Sequence, residues 1–140
     1  MERPLSPRMP SASSLPDRIA QPAPATVAQL IASLCVANKA HDVVLLDLAG
    51  VTDMTDYFVI ASGTSDTHVR STARHVIETM HNAGHRVAHV EGLQQGRWVL
   101  LDFVDVVVHV FHPALRSFYQ LERLWSDAPA IAVEPQGALS

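Results

Sequence analysis

The chain has 140 residues, of which 48% are apolar, so it is long enough and hydrophobic enough to form one domain with a core. A formal net charge of −4 argues against a direct nucleic-acid binder, which needs a basic surface to neutralise phosphates. The single cysteine excludes an internal disulfide framework, and the absence of an apolar run of about 18 residues argues against a membrane span. Cys35 lies on an apolar helical pattern and is interpreted as a small buried hydrophobe. These features together predict a soluble protein of the cytoplasm without membrane contact.

The first 25 residues form a leader rich in proline, serine and alanine. Six of the nine prolines lie within the first 24 residues, so this segment can bury little apolar surface. It has no apolar run typical of a secretory signal, and its prolines would disrupt the helix of a transit peptide. We therefore predict a disordered leader over residues 1–25, one domain over 26–127 and a flexible tail over 128–140.

The pattern of apolar residues in the domain alternates between helical and strand periodicity. Thr26 and Gln29 form a capping-box pattern before the first helix. Ser65 or Asp66 can cap a second helix, and Gly84 follows its end, where a left-handed residue is common. The predicted order is α-β-β-α-β-β-β-α, with bounds near 26–38, 43–48, 56–61, 66–82, 86–90, 97–102, 104–111 and 113–125. This order predicts an α/β (α+β) fold with helices flanking a mixed five-stranded sheet.

The hairpin of the last two predicted strands is the most informative segment. Its turn, Asp102 to Val104, carries the bulky Phe103, and Trp98 and Asp105 lie close by in sequence. A large apolar residue is unusual at a turn tip, and exposed aromatic rings beside acids are typical of a docking surface for a basic protein. Strand alternation places Trp98 and Asp102 on one face, which favours partial exposure of Trp98 over a place in the core.

A set of motifs occurs in one order along the chain. They are Leu46-Asp47-Leu48, Thr55 to Ser65 (TDYFVIASGTS), His68-Val69, Glu91-Gly92, Trp98 to Asp102 (WVLLD), Asp105 to Phe111 (DVVVHVF) and Arg116 to Trp125 (RSFYQLERLW). With them, the chain resembles the ribosomal silencing factor family, also called Iojap-like proteins, over about residues 26–127.

The resemblance implies a nucleotidyltransferase-like fold, but neither enzymatic activity nor a cofactor. It implies binding to the large ribosomal subunit through a ribosomal protein of the L-fourteen family on the intersubunit face. Such binding would block joining of the small subunit when nutrients are scarce, which makes the chain a translational repressor. Organellar relatives are linked to assembly of the large subunit, which is a second possibility. The acidic charge predicts little direct RNA contact, and exposed rings would also allow a homodimer.

The contact residues that the resemblance implies are Trp98, Asp102, Phe103 and Asp105. The two rings would be apolar anchors, and the two aspartates would pair with Lys or Arg of the ribosomal protein. Val104 stands where the family has glycine. Because a valine avoids positive φ, we expect the turn to be reshaped or wider.

Tyr119 and Glu122 lie on the last predicted helix. Either they support the hairpin and extend its docking surface, or they belong to the core packing and to the solvent-exposed edge of that helix.

An enzymatic reading of the acids is the main alternative to a docking function. Asp47, Asp53 and Asp56 could bind metal ions as in a nucleotidyltransferase, but no Asp-x-Asp pair follows the Gly63-Thr64-Ser65 turn. The eight histidines do not follow zinc-ligand spacing, so no metal site is predicted. His109 is expected to be a hydrogen-bonded histidine in the sheet or on the surface.

Overall fold

The computed structural model describes residues 23–115 and 128–133. These residues contain two complete helices, α1 (Pro24–Ala37) and α2 (Asp66–Asn82). The strands are β1 (His41–Asp47), β2 (Tyr57–Ser62), β3 (His89–Glu91), β4 (Trp98–Asp102), β5 (Val106–Phe111) and β6 (Ala130–Ile131). Residues 113–115 are helical, at the predicted start of the last helix. The rest of that helix, with Tyr119 and Glu122, lies outside the described residues, as does almost all of the predicted leader.

The six strands form one mixed sheet in the order β3-β4-β5-β2-β1-β6. Neighbouring strands in this sheet are antiparallel, except β2 and β5, which run parallel with Tyr57 opposite Val106. Parallel strands need a long crossover connection, and here α2, β3 and β4 lie within it. The prediction of a mixed sheet with flanking helices is confirmed, whereas the predicted count of five strands is wrong.

The strand that the sequence analysis missed is β6 at the sheet edge. Its two residues pair with Leu45 and Leu46 of β1. The Asp47 N–H donates to the Pro129 carbonyl at 3.0 Å. Part of the segment predicted to be a flexible tail is therefore paired into the sheet. A two-residue run is too short to show strand alternation, which explains why the sequence did not reveal it.

The two helices begin in different ways. α1 begins at Pro24 after Ala23, with no side-chain cap, so the predicted capping box of Thr26 and Gln29 is wrong. Proline is favourable in the first turn because its missing N–H has no partner there in any case. Gln29 instead donates from Nε2 to the Ala132 carbonyl at 2.9 Å. For α2 the prediction is confirmed, since the Ser65 hydroxyl accepts the His68 N–H at 3.1 Å.

The two faces of the sheet are packed differently. Both helices cover one face, and the buried core there includes Ile31, Cys35, Val59, Val69, Val76, Met80, Val99, Leu101, Val108 and Val110. Cys35 is completely buried, which confirms its interpretation as a small buried hydrophobe, and this burial raises the pKa of its thiol to about 12. The opposite face has a smaller cluster of Leu46, Leu48, Ile60, Phe111 and Ala128, with Trp98 packed against it. We call this second side the Trp98 face.

The β4–β5 turn is tight and strained. The Asp105 N–H donates to the Phe103 carbonyl at 3.0 Å, so the turn closes around Val104, whose φ is +78°. The Asp102 carboxylate accepts the Val104 N–H at 2.7 Å, and the Thr55 hydroxyl donates to the Val104 carbonyl at 3.0 Å. The expectation that valine would avoid positive φ is therefore wrong, because these bonds hold Val104 there. A β-branched residue in this region is strained by about 1–2 kcal/mol.

Replacing Val104 by glycine is expected to raise the free energy of unfolding by about 1 kcal/mol, because glycine adopts positive φ without steric cost. Urea denaturation measures this change. Val51→Gly is the matched control, since Val51 is also an exposed loop valine but has no positive φ. We expect the control to lose stability; an equal change in both variants would show that the turn stores no strain.

Candidate functional site

The structure separates the residues predicted to form one docking surface. Trp98 and Asp102 lie at alternate positions of β4 and share the Trp98 face. Phe103 is half-buried and packs against the core on the helix-covered side. Asp105 is exposed in the turn. The prediction that Phe103 is an exposed ring at the turn tip is therefore wrong, while its contact with a partner stays a prediction.

Trp98 is half-buried on its face, as strand alternation predicted. Its ring stacks on Phe111, with the two ring centroids 5.0 Å apart. Its indole N–H donates to Nδ1 of His109 at 3.1 Å. Trp98 therefore fixes neighbouring side chains as well as presenting part of its own surface.

Beside Trp98, the same face contains an open cavity of about 370 Å³. We call it the hairpin pocket; it is lined by Thr52, Met54, Thr55, Phe58, Leu100, Asp102, Val104, Val107 and His109. Two apolar side chains at the pocket are unusually accessible: Met54 is 87% exposed and Val104 is 63% exposed. Exposed apolar residues around a concave site are typical of a binding surface.

His109 is the most unusual residue of the hairpin pocket. It lies in the middle of β5 and is only 5% exposed, so it belongs to the sheet and not to the surface. Because an indole N–H can only donate, Nδ1 of His109 must accept from Trp98, and the ring proton is on Nε2. Burial lowers the pKa of His109 to about 4, which keeps the ring neutral at pH 7.

The Nε2–H group of His109 is buried, and within residues 23–115 and 128–133 it has no hydrogen-bond partner. A buried donor without a partner is unfavourable by about 1–3 kcal/mol. Such groups are rare in folded proteins, so this one requires an explanation.

Several residues of the pocket were missed by the sequence analysis. Met54, Thr55 and Phe58 precede or begin β2, about fifty residues before the hairpin. Only the parallel pairing of β2 with β5 brings them to Val107. Thr55 and Phe58 belong to the motif from Thr55 to Ser65, but periodicity alone contains no information on which distant strands are neighbours.

Two of the acids considered as metal ligands make local hydrogen bonds, Asp47 through its carboxylate and Asp56 through its backbone. Asp47 ends β1, and its carboxylate accepts the Ala49 N–H at 2.9 Å. The Asp56 N–H donates to the Asp105 carbonyl at 3.0 Å, which ties the loop before β2 to the hairpin turn. In the part of the chain that the structure describes, no three His, Cys, Asp or Glu side chains are grouped so that they could hold a metal ion.

The low pKa of His109 predicts a loss of stability in acid. Between about pH 6.5 and 4 the unfolded chain binds a proton at this residue and the folded chain does not, so stability falls as the pH is lowered through this window. From pH 7 to pH 5 this loss should be about 2 kcal/mol.

Denaturation of wild type and His109→Asn at both pH values tests this expectation, because the variant should lack this part of the loss. His41→Asn, at an exposed histidine, is the control. If the stability of wild type and that of His109→Asn fall by the same amount between pH 7 and pH 5, the lowered pKa of His109 is contradicted.

Several known proteins are similar to this chain in sequence or in fold. The sequence model of a family described as "Ribosomal silencing factor during starvation" matches residues 20–139. The chain is 42% identical over 104 residues to ribosomal silencing factor RsfS of Bacillus subtilis, covering 74% of this chain and 88% of that protein. It is 30% identical over 100 residues to a mouse protein named mitochondrial assembly of ribosomal large subunit protein 1, covering 69% of this chain and 44% of that protein. A crystal structure of a Chromobacterium violaceum protein superimposes with a TM-score of 0.73 at 32% identity, covering 85% of this chain and all of that one.

The fold is thus that of a small α+β domain with a mixed sheet, and two described helices cover one face of that sheet. The chain belongs to the ribosomal silencing factor family, as its motifs indicated. None of the helices described here has the length and apolar character needed to cross a membrane.

Proposed function

We propose that this protein is a translational repressor of the cytoplasm. It binds the large ribosomal subunit through a ribosomal protein of the L-fourteen family on the intersubunit face, and so blocks joining of the small subunit when nutrients are limited. The observation that carries the proposal is membership of a family described by ribosomal silencing during starvation. A small domain bound at that face would block joining sterically, without catalysing a reaction.

The Trp98 face supports this proposal because it has the character of a protein-binding surface. It combines the half-buried ring of Trp98, the exposed Met54 and Val104, and the carboxylate of Asp102. Among the described residues that line the hairpin pocket there is no Lys or Arg, so they offer no countercharge to a phosphate backbone. A basic protein surface fits this arrangement better than RNA does, so the proposed contact is with the protein component.

We also propose that the protein is not an enzyme. Two carboxylates on which catalysis could depend accept backbone hydrogen bonds: Asp47 from Ala49 and Asp102 from Val104. A nucleotidyltransferase-like relationship of the fold remains a prediction. Calorimetry with ATP and magnesium ions tests the proposal that the protein is not an enzyme: we expect no binding, and magnesium-dependent binding of the nucleotide would contradict the proposal.

A second candidate function is assembly of the large subunit. It is favoured by the name of the mouse relative, which states mitochondrial assembly of the ribosomal large subunit. Both functions would use the same contact. Depletion of the protein distinguishes the two functions. Loss of an assembly factor would make precursor particles accumulate in growing cells, whereas loss of a silencing factor would not.

Sedimentation with isolated ribosomal particles is the direct test of silencing. We expect the protein to sediment with large subunits and not with small subunits. Added in increasing amounts to dissociated subunits, it should lower the fraction of joined ribosomes, because the joining surface is occupied. Binding to large subunits with unchanged joining would contradict the blocking mechanism, and would favour the assembly function. Sedimentation of the purified protein alone should show whether a homodimer forms.

The Asp102→Asn variant tests the proposed charge contact. Asparagine keeps an oxygen that can accept the Val104 N–H but removes the charge, so the turn should be preserved. A partly exposed ion pair contributes about 0.2–1 kcal/mol, which predicts up to about fivefold weaker binding to large subunits at low salt. Glu78→Gln is the control, because Glu78 is exposed on α2, on the other side of the sheet. Equal affinities of both variants in low salt would exclude Asp102 from the contact.

A further inference from the structure

We propose that Met54 is a site of reversible oxidation, at which hydrogen peroxide converts the thioether to a sulfoxide and thereby weakens binding of the protein to the large ribosomal subunit. The modification itself follows from the exposure and chemistry of this residue. Its effect on binding rests on the proposed function, because that function places Met54 at the contact.

The sulfur atoms of the chain differ in their access to solvent. The sequence contains four methionines and one cysteine. Within residues 23–115 and 128–133, Met54 is 87% exposed, whereas Met80 and Cys35 are completely buried. Burial also raises the pKa of the Cys35 thiol to about 12, so little reactive thiolate forms there at neutral pH. Of these three sulfur atoms, that of Met54 is therefore the one that a small oxidant in solution reaches first.

Met54 lies in a loop whose backbone is anchored on both sides of it. The Leu48 N–H donates to the Asp56 carbonyl at 2.9 Å, which closes the loop at its base. The Met54 N–H donates to the Thr52 hydroxyl at 3.2 Å, and Thr55, the next residue, is buried. The exposure of the thioether is therefore a consequence of the fold.

Oxidation of a thioether needs no neighbouring catalytic group. The sulfur lone pair attacks one oxygen of hydrogen peroxide, so that an S–O bond forms and the O–O bond breaks. The proton of the transferred oxygen moves to the departing one, which leaves as water, and the sulfur has lost the two electrons that the peroxide gained. Because a thioether has no proton to lose, it reacts without the ionisation that a thiol requires. Methionine sulfoxide reductases reverse the change with a dithiol, which becomes a disulfide while the oxygen leaves as water.

The sulfoxide changes the character of the hairpin pocket. Met54 lines this pocket together with the apolar side chains of Phe58, Leu100 and Val107. A methionine side chain is apolar and adapts to an uneven partner surface. A sulfoxide is polar, and its oxygen loses water when a partner covers it. Because the burial of one methylene-sized group strengthens binding about fourfold, we expect a decrease in affinity of about that size or more.

Peptide mass mapping after mild treatment with hydrogen peroxide locates the modification. We expect the peptide that contains Met54 to gain one oxygen atom about tenfold faster than the peptide that contains Met80, because access limits the reaction at a buried thioether. Circular dichroism shows that the treated protein is still folded. Equal rates at the two methionines of the folded protein would overturn Met54 as the preferred site.

Affinity for isolated large subunits is then measured before and after the treatment, with catalase added first so that the ribosomal particles are not oxidised. We expect oxidised wild type to bind about fourfold more weakly, and methionine sulfoxide reductases with dithiothreitol to restore the binding. Met54→Leu keeps the other three methionines, including Met1 and Met9 outside the described residues. Its affinity should not change on treatment with peroxide, whatever its starting value. Met54→Gln, which has a polar amide in place of the sulfoxide, should bind more weakly than wild type without any oxidant.

The outcomes distinguish this inference from the proposed function. If wild type binds large subunits and oxidation of Met54 leaves the affinity unchanged, the effect on binding is overturned and the ribosomal function stands. An equal loss of affinity in peroxide-treated wild type and Met54→Leu would place the sensitive group elsewhere and overturn the role of Met54. If wild type does not bind the subunits but Met54 is oxidised first, the modification site stands and the ribosomal function fails.

Discussion

Six residues of β2 run parallel to six residues of β5, from Tyr57 opposite Val106 to Ser62 opposite Phe111. Parallel neighbours cannot be joined by a tight turn, so the intervening chain has to cross the sheet, and it forms α2 on one face before returning as β3 and β4. The same pairing brings the loop before β2 against the β4–β5 turn. The N–H groups of Asp56 and Tyr57 both donate to the Asp105 carbonyl, at 3.0 and 3.1 Å. Because of this junction, residues far apart in sequence form one pocket.

The hairpin pocket combines two local features that reduce stability. Val104 holds a φ of +78° in the turn, and His109 holds a buried N–H group without a partner in the described chain. Positive φ also occurs at two other non-glycine residues, Lys39 and Asp42, but away from the pocket the apolar residues are buried between strands and helices in the ordinary way. Departures from those rules tend to occur where a protein binds something, since selection there acts on the complex and not on the free domain. Their coincidence at one cavity supports reading it as a functional surface.

The sequence predicted local features of this fold better than distant ones. The apolar period of α2 and the Ser65 cap were sufficient to place that helix, and strand alternation put Trp98 and Asp102 on one face. Phe103 was misplaced because a ring beside a turn was assumed to face solvent, whereas it packs towards the helix-covered core. The burial of His109 and its bond to Trp98 depend on the pairing of β4 with β5 and on the packing above them. No local pattern encodes which donor is left unpaired after that packing is complete.

Strand β6 has a consequence for work with shortened chains. It covers the outer edge of β1, where Leu45 and Leu46 pair with Ile131 and Ala130. A chain cut at residue 127, where the sequence analysis ends the domain, would leave this row of backbone groups open to water. Open strand edges are templates for pairing with another molecule. Dimers or aggregates of such a shortened protein would then arise at β1 by edge-to-edge pairing, at the opposite end of the sheet from β4 and unrelated to the aromatic rings.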